Sequence, residues 1–425
     1  MDIAIKKFKP KGKVTAPCSK SLAHRVIIAS ALADKPTLIN GFKPCEDTEA
    51  TMEVLSRMGA EFISHRDGSM TVYPIQEMPC TGTVNCHSSG TTLRLLLPVV
   101  CALGINGYRF KGNDDLAERP LRPLLTALRR HGVVVSEDKL PLSVAGQLHG
   151  GIFKIPADVS SQFVSGLLLA LPLLIAPAKI VLTTEAVSAS YIKMTLEVLK
   201  QFGIVIKEED NVFIVPRRQD YKSPGEINIE GDWSGAAPWL AAACAAGEVS
   251  IEGLKKNTCQ GDADILDIIN MMAGADRGDD IISVKKQKLS GVVIDGSQIP
   301  DLVPSLVVLA CAAEGKTVIK NLGRLNTKES PRLTVLAENL KELGADVSVE
   351  MDEADNDYAI TVKGGKRLKG GRVKSCGDHR MAMAAVALAS LCNGEIILED
   401  AEAVAKSYPD FYEDFKLLGG EYYEL

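Results

Sequence analysis

Six short polar segments of this chain contain residue types that are suited to binding an anionic ligand. Each contains serine or aspartate, several add lysine or arginine, and each leads into a strongly apolar run. Serine and aspartate cap helix N-termini, where N–H groups and a partial positive charge attract phosphate and carboxylate groups. The six segments are marked by Ser19, Ser88, Ser160, Asp232, Asp301 and Asp378. The pattern therefore predicts six capped helix starts at which anions could be bound.

The six markers recur every 69 to 77 residues, and a second signal has nearly the same period. Six helical patterns each end at a glycine that precedes a strand-like run, at intervals of 70 to 75 residues. Glycine adopts the left-handed conformation after a last helical turn at little cost. These glycines are Gly59, Gly132, Gly203, Gly274, Gly344 and Gly419. The chain is therefore predicted to consist of six α/β repeats of about 70 residues.

Each repeat contains one helix that is apolar on all sides, and such a helix has to be buried. Because 425 residues exceed one ordinary core, we predict two domains of three repeats, with central buried helices and outer sheets. One domain spans 19–228, and the other combines 1–18 with 229–425 and includes an N-terminal strand at 3–9. Parallel buried helices would direct their N-termini to one surface and attract a polyanion. The periodicity alone is also compatible with an ordinary α/β repeat protein.

Composition excludes several classes of function. A formal net charge of −6 argues against bulk affinity for nucleic acid. Ten cysteines without a CxxC pair are typical of reduced thiols rather than disulfides or a zinc site. We see no secretory signal, and no apolar run is long enough to span a bilayer. We therefore expect a cytoplasmic protein without nucleic-acid or membrane partners.

Nine short segments, taken in chain order, resemble the signature motifs of one family. They are KSLAHR (20–25), SSGTTLR (88–94), ERPL (118–121), SSQF (160–163), SASY (188–191), IPD (299–301), KESPR (328–332), DHRMA (378–382) and KSYP (406–409). As a set they resemble the EPSP synthase family over nearly the whole chain. The resemblance implies a two-domain inside-out α/β barrel of the enolpyruvyl transferase type, and no metal or organic cofactor. We expect a monomer.

The resemblance also implies a reaction. The 5-hydroxyl of shikimate 3-phosphate adds to C2 of phosphoenolpyruvate (PEP), and the tetrahedral intermediate then expels phosphate. Asp301 would accept the hydroxyl proton, and Glu329, assisted by Lys20, would protonate and deprotonate the PEP methylene. The residues implied for shikimate 3-phosphate are Lys20, Ser21, Arg25, Ser160, Ser161, Gln162, Ser188, Tyr191, Asp301 and Lys328. Those implied for PEP are Lys20, Gly90, Arg119, Gln162, Arg332, Arg380 and Lys406.

These residue types suit the two substrates, each of which carries a phosphate and a carboxylate. Arginine binds such groups with two parallel hydrogen bonds, and lysine supplies a compact charge. Arg94 is equally compatible with a structural ion pair, and His379 fits a residue that orients Asp378 better than a base. A Cβ on Gly90 would intrude on the PEP phosphate, so we predict that glyphosate competes with PEP.

The chain departs from the family motifs at four positions. Cys18 stands where glycine is common, Ser88 where asparagine is usual, and Pro331 where the motif has aspartate. Arg324 lies where some members have asparagine. We expect a local backbone adjustment at Cys18 and altered geometry around Pro331.

Three other functions have to be considered. UDP-N-acetylglucosamine enolpyruvyl transferase shares the expected fold and the PEP chemistry, but its family has Lys-Asn in place of Lys20-Ser21. A non-catalytic anion-binding repeat protein would not need the carboxylates of Asp301 and Glu329. RNA 3′-phosphate cyclase has a related repeat, but we find no histidine nucleophile signature or basic surface for RNA. The SSQF and KESPR segments favour shikimate 3-phosphate as the acceptor.

Overall fold

A computed structural model describes residues 1–273, 282–352 and 357–425 of the chain, which form a mixed α/β structure. In these ranges the α-helices are α1 Lys20–Ala31, α2 Glu46–Arg57, α3 Gly90–Ala102, α4 Asp114–Ala117, α5 Arg122–Arg130, α6 Ser161–Ala170, α7 Ala189–Gln201, α8 Trp233–Ala246, α9 Ile265–Ala273, α10 Val303–Ala312, α11 Arg332–Glu342, α12 His379–Leu388 and α13 Phe411–Leu417. Short 3-10 helices lie at Leu171–Leu173, Gly261–Asp264, Gly323–Thr327, Ala389–Leu391 and Ala401–Lys406. Among the described helices, none combines the length and apolar character that crossing a bilayer requires.

The same ranges contain short strands, which build six sheets. The strands are β1 Ile3–Ile5, β2 Lys11–Thr15, β3 Thr37–Asn40, β4 Glu61–Ser64, β5 Met70–Tyr73, β6 Thr81–Asn85, β7 Ile105–Lys111, β8 Val133–Val135, β9 Leu142–Gly146, β10 Gly151–Ile155, β11 Ala178–Leu182, β12 Lys207–Glu209, β13 Val212–Val215, β14 Glu226–Asn228, β15 Glu248–Glu252, β16 Ile282–Lys285, β17 Val293–Asp295, β18 Lys316–Lys320, β19 Asp346–Asp352, β20 Asp357–Lys363, β21 Gly371–Lys374, β22 Ile396–Glu399 and β23 Tyr422–Glu424.

The chain divides into two compact units. One, which we call the continuous unit, is Cys18–Glu230, and the other, the split unit, combines Met1–Pro17 with Gly231–Leu425. Each unit has its own hydrophobic core.

The continuous unit packs three four-stranded sheets around helices α1, α3 and α6. The strand orders are β14-β3-β5-β4, β6-β7-β9-β8 and β10-β11-β13-β12. Almost every residue of the three helices is buried, as their all-round apolar sequences require. The Gln162 side chain joins the starts of α6 and α3 by donating to the Thr91 hydroxyl at 2.9 Å. At the opposite end, Leu32, Leu103 and Leu174 line one cavity, so the three helices run parallel.

The split unit repeats this arrangement with helices α8, α10 and α12, which pack on one another. Its sheets have the orders β16-β15-β2, β17-β18-β20-β19 and β21-β22-β1-β23. The predicted N-terminal strand is present as two strands: β1 lies between β22 and β23, and β2 pairs with β15. The single strand expected at 3–9 was wrong in extent. Pro10, which lacks a backbone N–H, lies between the two strands.

The glycine signal of the repeats is confirmed in the described ranges. Five glycines each follow the C-cap of an amphipathic helix and have positive φ: Gly59 (+104°), Gly132 (+95°), Gly203 (+75°), Gly344 (+81°) and Gly419 (+85°). The sixth, Gly274, lies outside the described residues. The regular helix ends therefore have one physical cause, the left-handed residue that stops each helix.

The helix-start markers are confirmed at four positions and corrected at two. The side chains of Ser19, Ser160, Asp232 and Asp378 accept hydrogen bonds from backbone N–H groups in the first turns of α1, α6, α8 and α12. Helix α3 is capped by Ser89 and not by Ser88, whose hydroxyl donates to Asp115 instead. Helix α10 follows Leu302, so Asp301 is not its cap, and its carboxylate instead accepts from Arg332.

Candidate active site

The predicted binding residues of the continuous unit lie at or near the starts of α1, α3, α6 and α7, except Arg119, which lies between α4 and α5. We call them the hydroxyl cluster: Lys20, Ser21, Arg25, Gly90, Arg119, Ser160, Ser161, Gln162, Ser188 and Tyr191. Lys20, the first residue of α1, pairs with Asp47 of α2 at 2.8 Å, and both side chains are largely buried. Behind this pair, the His24 ring bonds the Thr51 hydroxyl, which bonds Thr92. Burial lowers the pKa of His24 to about 3, so its ring is neutral and structural.

Arg25 is buried within the hydroxyl cluster and bonded to neutral oxygens. Its guanidinium donates to the Thr195 hydroxyl at 2.7 Å, to the Ser21 carbonyl at 2.6 Å and to the Tyr191 carbonyl at 3.1 Å. Burial lowers the pKa of Arg25 to about 10, an effect that Tyr191 partly offsets. The residue therefore supplies a positive charge that ties α1 to α7.

Arg94 lies beside the hydroxyl cluster and bonds one of its members, Gln162. Arg94 donates to Gln162 Oε1 at 2.9 Å and to the Pro120 carbonyl at 2.8 Å, and its guanidinium lies over the Phe163 ring. Gln162 Nε2 donates to Thr91. Arg94 thus fixes the amide of a predicted binding residue through contacts with neutral oxygens.

Gly90, the first residue of α3, is closely approached by Arg119. A Cβ at this position would lie 2.6 Å from Arg119 Nη1 and 2.8 Å from its Cζ. Such contacts are far inside van der Waals distance, so any side chain at Gly90 would displace the guanidinium. A side chain at Gly90 would therefore change the predicted PEP site by moving Arg119.

The serines of the cluster lie at two further helix starts. Ser160 caps α6, and its hydroxyl accepts from the Gln162 N–H at 3.3 Å, while Ser161 is the first residue of that helix. Ser188 precedes α7 with a left-handed φ of 53° and is buried. Tyr191 lies in the first turn of α7 and uses its carbonyl to accept from Arg25. Hydroxyls and backbone groups therefore surround the helix starts of this unit.

The split unit contains a second group around Arg332, which we call the carboxylate cluster: Asp301, Lys328, Glu329, Arg332, Asp378 and Arg380. The side chain of Arg332 is 1% exposed and contacts three carboxylates. It donates at 2.7 Å to Asp301 Oδ1, to Glu329 Oε2 and to Asp378 Oδ2. These carboxylates hold the pKa of Arg332 well above its ordinary value, against the effect of burial. One guanidinium thus brings together both predicted acid–base residues.

Asp301 is the carboxylate with the densest cationic surroundings. Burial alone would raise the pKa of Asp301, but Lys328, Arg332 and Arg380 outweigh it and hold this pKa well below its ordinary value. Lys328 Nζ lies 3.6 Å from Asp301 Oδ1, and Arg380 Nη2 lies 4.0 Å from Oδ2. Burial lowers the pKa of Lys328 to about 8, an effect that Asp301 opposes. The Asp301 carboxyl is therefore ionised at neutral pH.

Two further residues of this unit were singled out in the sequence. Lys406 ends a 3-10 helix, and its ammonium donates to the Gly377 carbonyl at 2.8 Å, next to the loop that leads into α12. His379 is buried, with Nδ1 3.9 Å from Asp378 Oδ1. This position is compatible with the orienting role expected for His379.

At the positions that depart from the family motifs, the structure shows local compensation. The Cys18 thiol donates to the Lys43 carbonyl at 3.1 Å and accepts from the Lys43 N–H at 3.4 Å. Pro331 precedes α11, and the adjoining Arg332 N–H bonds the Ser330 carbonyl at 2.8 Å. Helix α11 therefore begins at Arg332 although Pro331 replaces the aspartate of the motif.

The remaining two departures also have defined partners. The Ser88 hydroxyl bonds Asp115 and Asn113, both at 3.0 Å, and thereby ties the start of α3 to the next loop. Arg324 donates to the Ser297 carbonyl at 3.0 Å. Both side chains thus connect segments of their own unit that are more than 20 residues apart in the chain.

Sequence reasoning missed two acidic residues that belong to these groups. Asp47 pairs with Lys20, and Asp262 lies in a 3-10 helix where the Ser234 hydroxyl donates to its carboxylate. Both lie in the first turn of a helix, where acidic residues are common, so no local signal separates them from ordinary helix starts.

Each unit contains a bundle of three parallel helices with polar residues at the helix starts. This arrangement defines a protein with the enolpyruvyl transferase fold. Among solved structures, the chain is similar to the enolpyruvyl transferase NikO from Streptomyces tendae, which shows the fold alone at 17% identity and a TM-score of 0.77 over 99% of this chain and 98% of the other. It is also similar to an EPSP synthase from Acinetobacter baumannii, with a TM-score of 0.83 and 26% identity over 100% of both chains.

Sequence comparisons identify the family. The model of EPSP synthase (3-phosphoshikimate 1-carboxyvinyltransferase) matches residues 6–415. Relatives named 3-phosphoshikimate 1-carboxyvinyltransferase from Clostridium botulinum and Clostridium kluyveri are each 38% identical to it, covering 98% and 99% of this chain respectively and 97% of each relative. The chain therefore belongs to the EPSP synthase family.

Proposed function

We propose that this protein transfers the enolpyruvyl group of PEP to the 5-hydroxyl of shikimate 3-phosphate, giving 5-enolpyruvylshikimate 3-phosphate and phosphate. The observation that carries this proposal is the contact of Asp301 and Glu329 with the same buried guanidinium of Arg332, in a member of the EPSP synthase family. Two carboxylates held on one cation can serve a reaction that moves protons at two atoms of its substrates.

In the proposed addition step, Asp301 accepts the proton of the 5-hydroxyl as the oxygen bonds C2 of PEP. Asp301 is suited to this role because its carboxylate is ionised and held by Arg332. Bound substrate anions would partly neutralise Lys328, Arg332 and Arg380, so the basicity of Asp301 would rise when the substrate is in place. The depressed pKa of Asp301 thus prevents protonation until the reaction begins.

Glu329, assisted by Lys20, is proposed to deliver a proton to the PEP methylene and to remove it when phosphate leaves. Its hydrogen bond from Arg332 at 2.7 Å favours the carboxylate form. Substrate anions that compete for Arg332 would weaken this bond and favour uptake of a proton. The same guanidinium would therefore couple PEP binding to the protonation of Glu329.

The binding residues are proposed from the two clusters. The residues of the hydroxyl cluster other than Gly90 and Arg119, together with Asp301 and Lys328, would hold shikimate 3-phosphate. Arg332, Arg380 and Lys406 would bind PEP together with Lys20, Gly90, Arg119 and Gln162. Helix N-termini and serine hydroxyls would supply neutral donors to the phosphate oxygens. We further propose that 19–228 and 1–18 with 229–425 fold as domains, which the two compact units support, and that the protein is a cytoplasmic monomer.

A phosphate-release assay tests the function. Purified protein is incubated with PEP and either shikimate 3-phosphate or UDP-N-acetylglucosamine, and phosphate and product are measured over time. We expect release only with shikimate 3-phosphate. Release that occurs only with the nucleotide sugar would reject the proposed acceptor, and binding of both substrates without turnover would favour a non-catalytic anion-binding protein.

A further inference from the structure

Asp262 is a buried carboxyl of the split unit that the reaction steps above do not use. It lies in the 3-10 helix Gly261–Asp264 and is 5% exposed. The Ser234 hydroxyl, in the first turn of α8, donates to Asp262 Oδ2. The side chain therefore has a fixed position against the start of a central helix.

The neighbouring Gln260 fixes the backbone that carries Asp262. Gln260 Oε1 accepts from the Trp233 N–H at 3.0 Å, and its Nε2 donates to the Gly231 carbonyl at 2.8 Å. Both contacts are to the segment that begins α8. Because a buried amide with two partners resists displacement, the Asp262 carboxyl cannot readily turn to solvent.

Charged groups from three central helices act on this carboxyl. Asp232 caps α8, Asp301 lies two residues before α10, and Arg380 lies in the first turn of α12. Asp264 is on the same 3-10 helix as Asp262. Arg380 Nη2 and Asp301 Oδ2 are 4.0 Å apart. A negative charge on Asp262 would be repelled by Asp301 and attracted by Arg380, both of which belong to the proposed site.

The balance of these effects places the Asp262 carboxyl near its protonation midpoint at neutral pH. Burial, and next the negative charge of Asp301, raise the pKa of Asp262 to about 7, while Ser234 and Arg380 act in the opposite direction. The acid form is uncharged below this pH, and the carboxylate appears above it.

We propose that Asp262 is a positioning residue that regulates the charge of the active site: as the neutral acid it leaves the positive charge of Arg380 to substrate anions, and as the carboxylate it offsets that charge and repels them. This inference rests on the proposed function. No proton of the reaction passes through Asp262, which acts through Arg380 and Asp301. One additional negative charge beside an arginine that binds phosphate or carboxylate weakens the binding of the anion.

The test compares the pH dependence of the KM for PEP in the wild type and in Asp262→Asn, which keeps a polar partner for Ser234 and cannot ionise. In the wild type, KM should rise between pH 6 and 8.5. At pH 8.5 the variant should have a KM about fivefold lower than the wild type, a modest value for one partly screened charge. The ratio should approach one near pH 6. Titration of the PEP phosphate and of Lys328 occurs in both proteins and cancels in this ratio.

Two further variants make the test selective. Asp346→Asn removes an exposed carboxylate of the same unit that pairs with Lys363, and its ratio to the wild type should not depend on pH. Ser234→Ala removes the donor that stabilises the Asp262 carboxylate, so the rise in KM should move to higher pH. This variant provides the answer if circular dichroism shows that Asp262→Asn does not fold.

A direct readout is the infrared carboxylic-acid band. The wild-type spectrum minus that of Asp262→Asn should show a protonated-acid signal at pH 6 that disappears by pH 8.5. Absence of this signal, or a KM ratio that is constant across the pH range, would overturn the inference. Because the wild-type phosphate-release assay is measured alongside, failure of the proposed function would be seen separately, as absence of turnover at every pH.

Discussion

The hydroxyl cluster and the carboxylate cluster both lie at the starts of parallel buried helices, but the arginines in the two units bond different kinds of oxygen. In the continuous unit, Arg25 and Arg94 donate to hydroxyl, amide and carbonyl oxygens. In the split unit, Arg332 donates to three carboxylates. Neutral partners leave a net positive charge that can hold an anion, whereas carboxylate partners can exchange protons. Under the proposed function, we therefore expect the hydroxyl cluster mainly to bind anions and the carboxylate cluster mainly to move protons.

The largest expected effect is that of replacing Asp301, the proposed proton acceptor of the carboxylate cluster. Asp301→Ala should lower kcat by a factor of about 10² to 10⁴, the usual contribution of a general base. Binding of shikimate 3-phosphate should persist, because Lys328 and the hydroxyl cluster remain. Phosphate release and isothermal titration calorimetry measure the two properties, with Asp346→Ala as the control. Turnover equal to that of the wild type would remove the role proposed for Asp301.

Truncating one arginine in each cluster tests the difference in their partners. Arg332→Met leaves three carboxylates without their cation and should lower the free energy of unfolding by about 3–5 kcal/mol at pH 7. Arg25→Met leaves neutral acceptors and should cost about 1–3 kcal/mol. Urea denaturation at several pH values measures both.

The pH dependence separates the two variants further. The depressed pKa of Asp301 stabilises the wild type above the unfolded-state pKa, and this contribution disappears as pH falls through the folded-state value. The difference between the wild type and Arg332→Met should therefore shrink in acid, while that for Arg25→Met should change little. Parallel pH profiles for the two variants would contradict the contrast between the clusters.

Gly90→Ala tests whether PEP binding depends on the position of Arg119. The new methyl group would displace the guanidinium, so the KM for PEP should rise about tenfold, equivalent to ~1.4 kcal/mol. Competitive inhibition by glyphosate, expected at millimolar concentration in the wild type, should weaken in parallel. Gly107→Ala is a matched control, because a Cβ there meets open space. An unchanged KM in Gly90→Ala would mean that Arg119 does not contribute to PEP binding.

A smaller effect is expected from Lys328, the cation of the carboxylate cluster that titrates. Because the pKa of Lys328 is lowered to about 8, its ammonium is lost above that pH. Binding of shikimate 3-phosphate should then weaken, by about threefold for a partly exposed ion pair. Lys328→Arg retains its charge and should have a flatter profile above pH 8, measured by calorimetry. An identical slope in both proteins would assign this pH dependence to other groups.

Much of the fold could be predicted because its signals are local. Gly59, Gly132, Gly203, Gly344 and Gly419 each stop a helix through their own backbone freedom, whatever the rest of the chain does. The all-round apolar helices had to be buried, and three per unit is what the structure shows. The family motifs likewise predicted Asp301, Glu329 and Arg332 as site residues, and the structure brings these three side chains into contact.

Other features could not be predicted because they depend on contacts between distant segments. The sequence predicted that Asp301 caps α10. Only the tertiary structure shows that the adjacent Leu302 has the cap position, and that the Asp301 carboxylate bonds Arg332. The position of Asp262 depends on Ser234 and Gln260, and its charge depends on Asp301 and Arg380. None of these relations appears in a local pattern.

The amino-acid sequence by itself determined the repeat, the helix ends, the family and the types of residue available for chemistry, since each depends on local conformation or residue identity. Only the tertiary structure decided which cation meets which oxygen. The reason is that electrostatic interaction depends on distance and burial: Arg25 meets Thr195 from 170 positions away, and Arg332 meets Asp378 across 46. Those contacts separate the two clusters, although both have similar residues at similar helix starts.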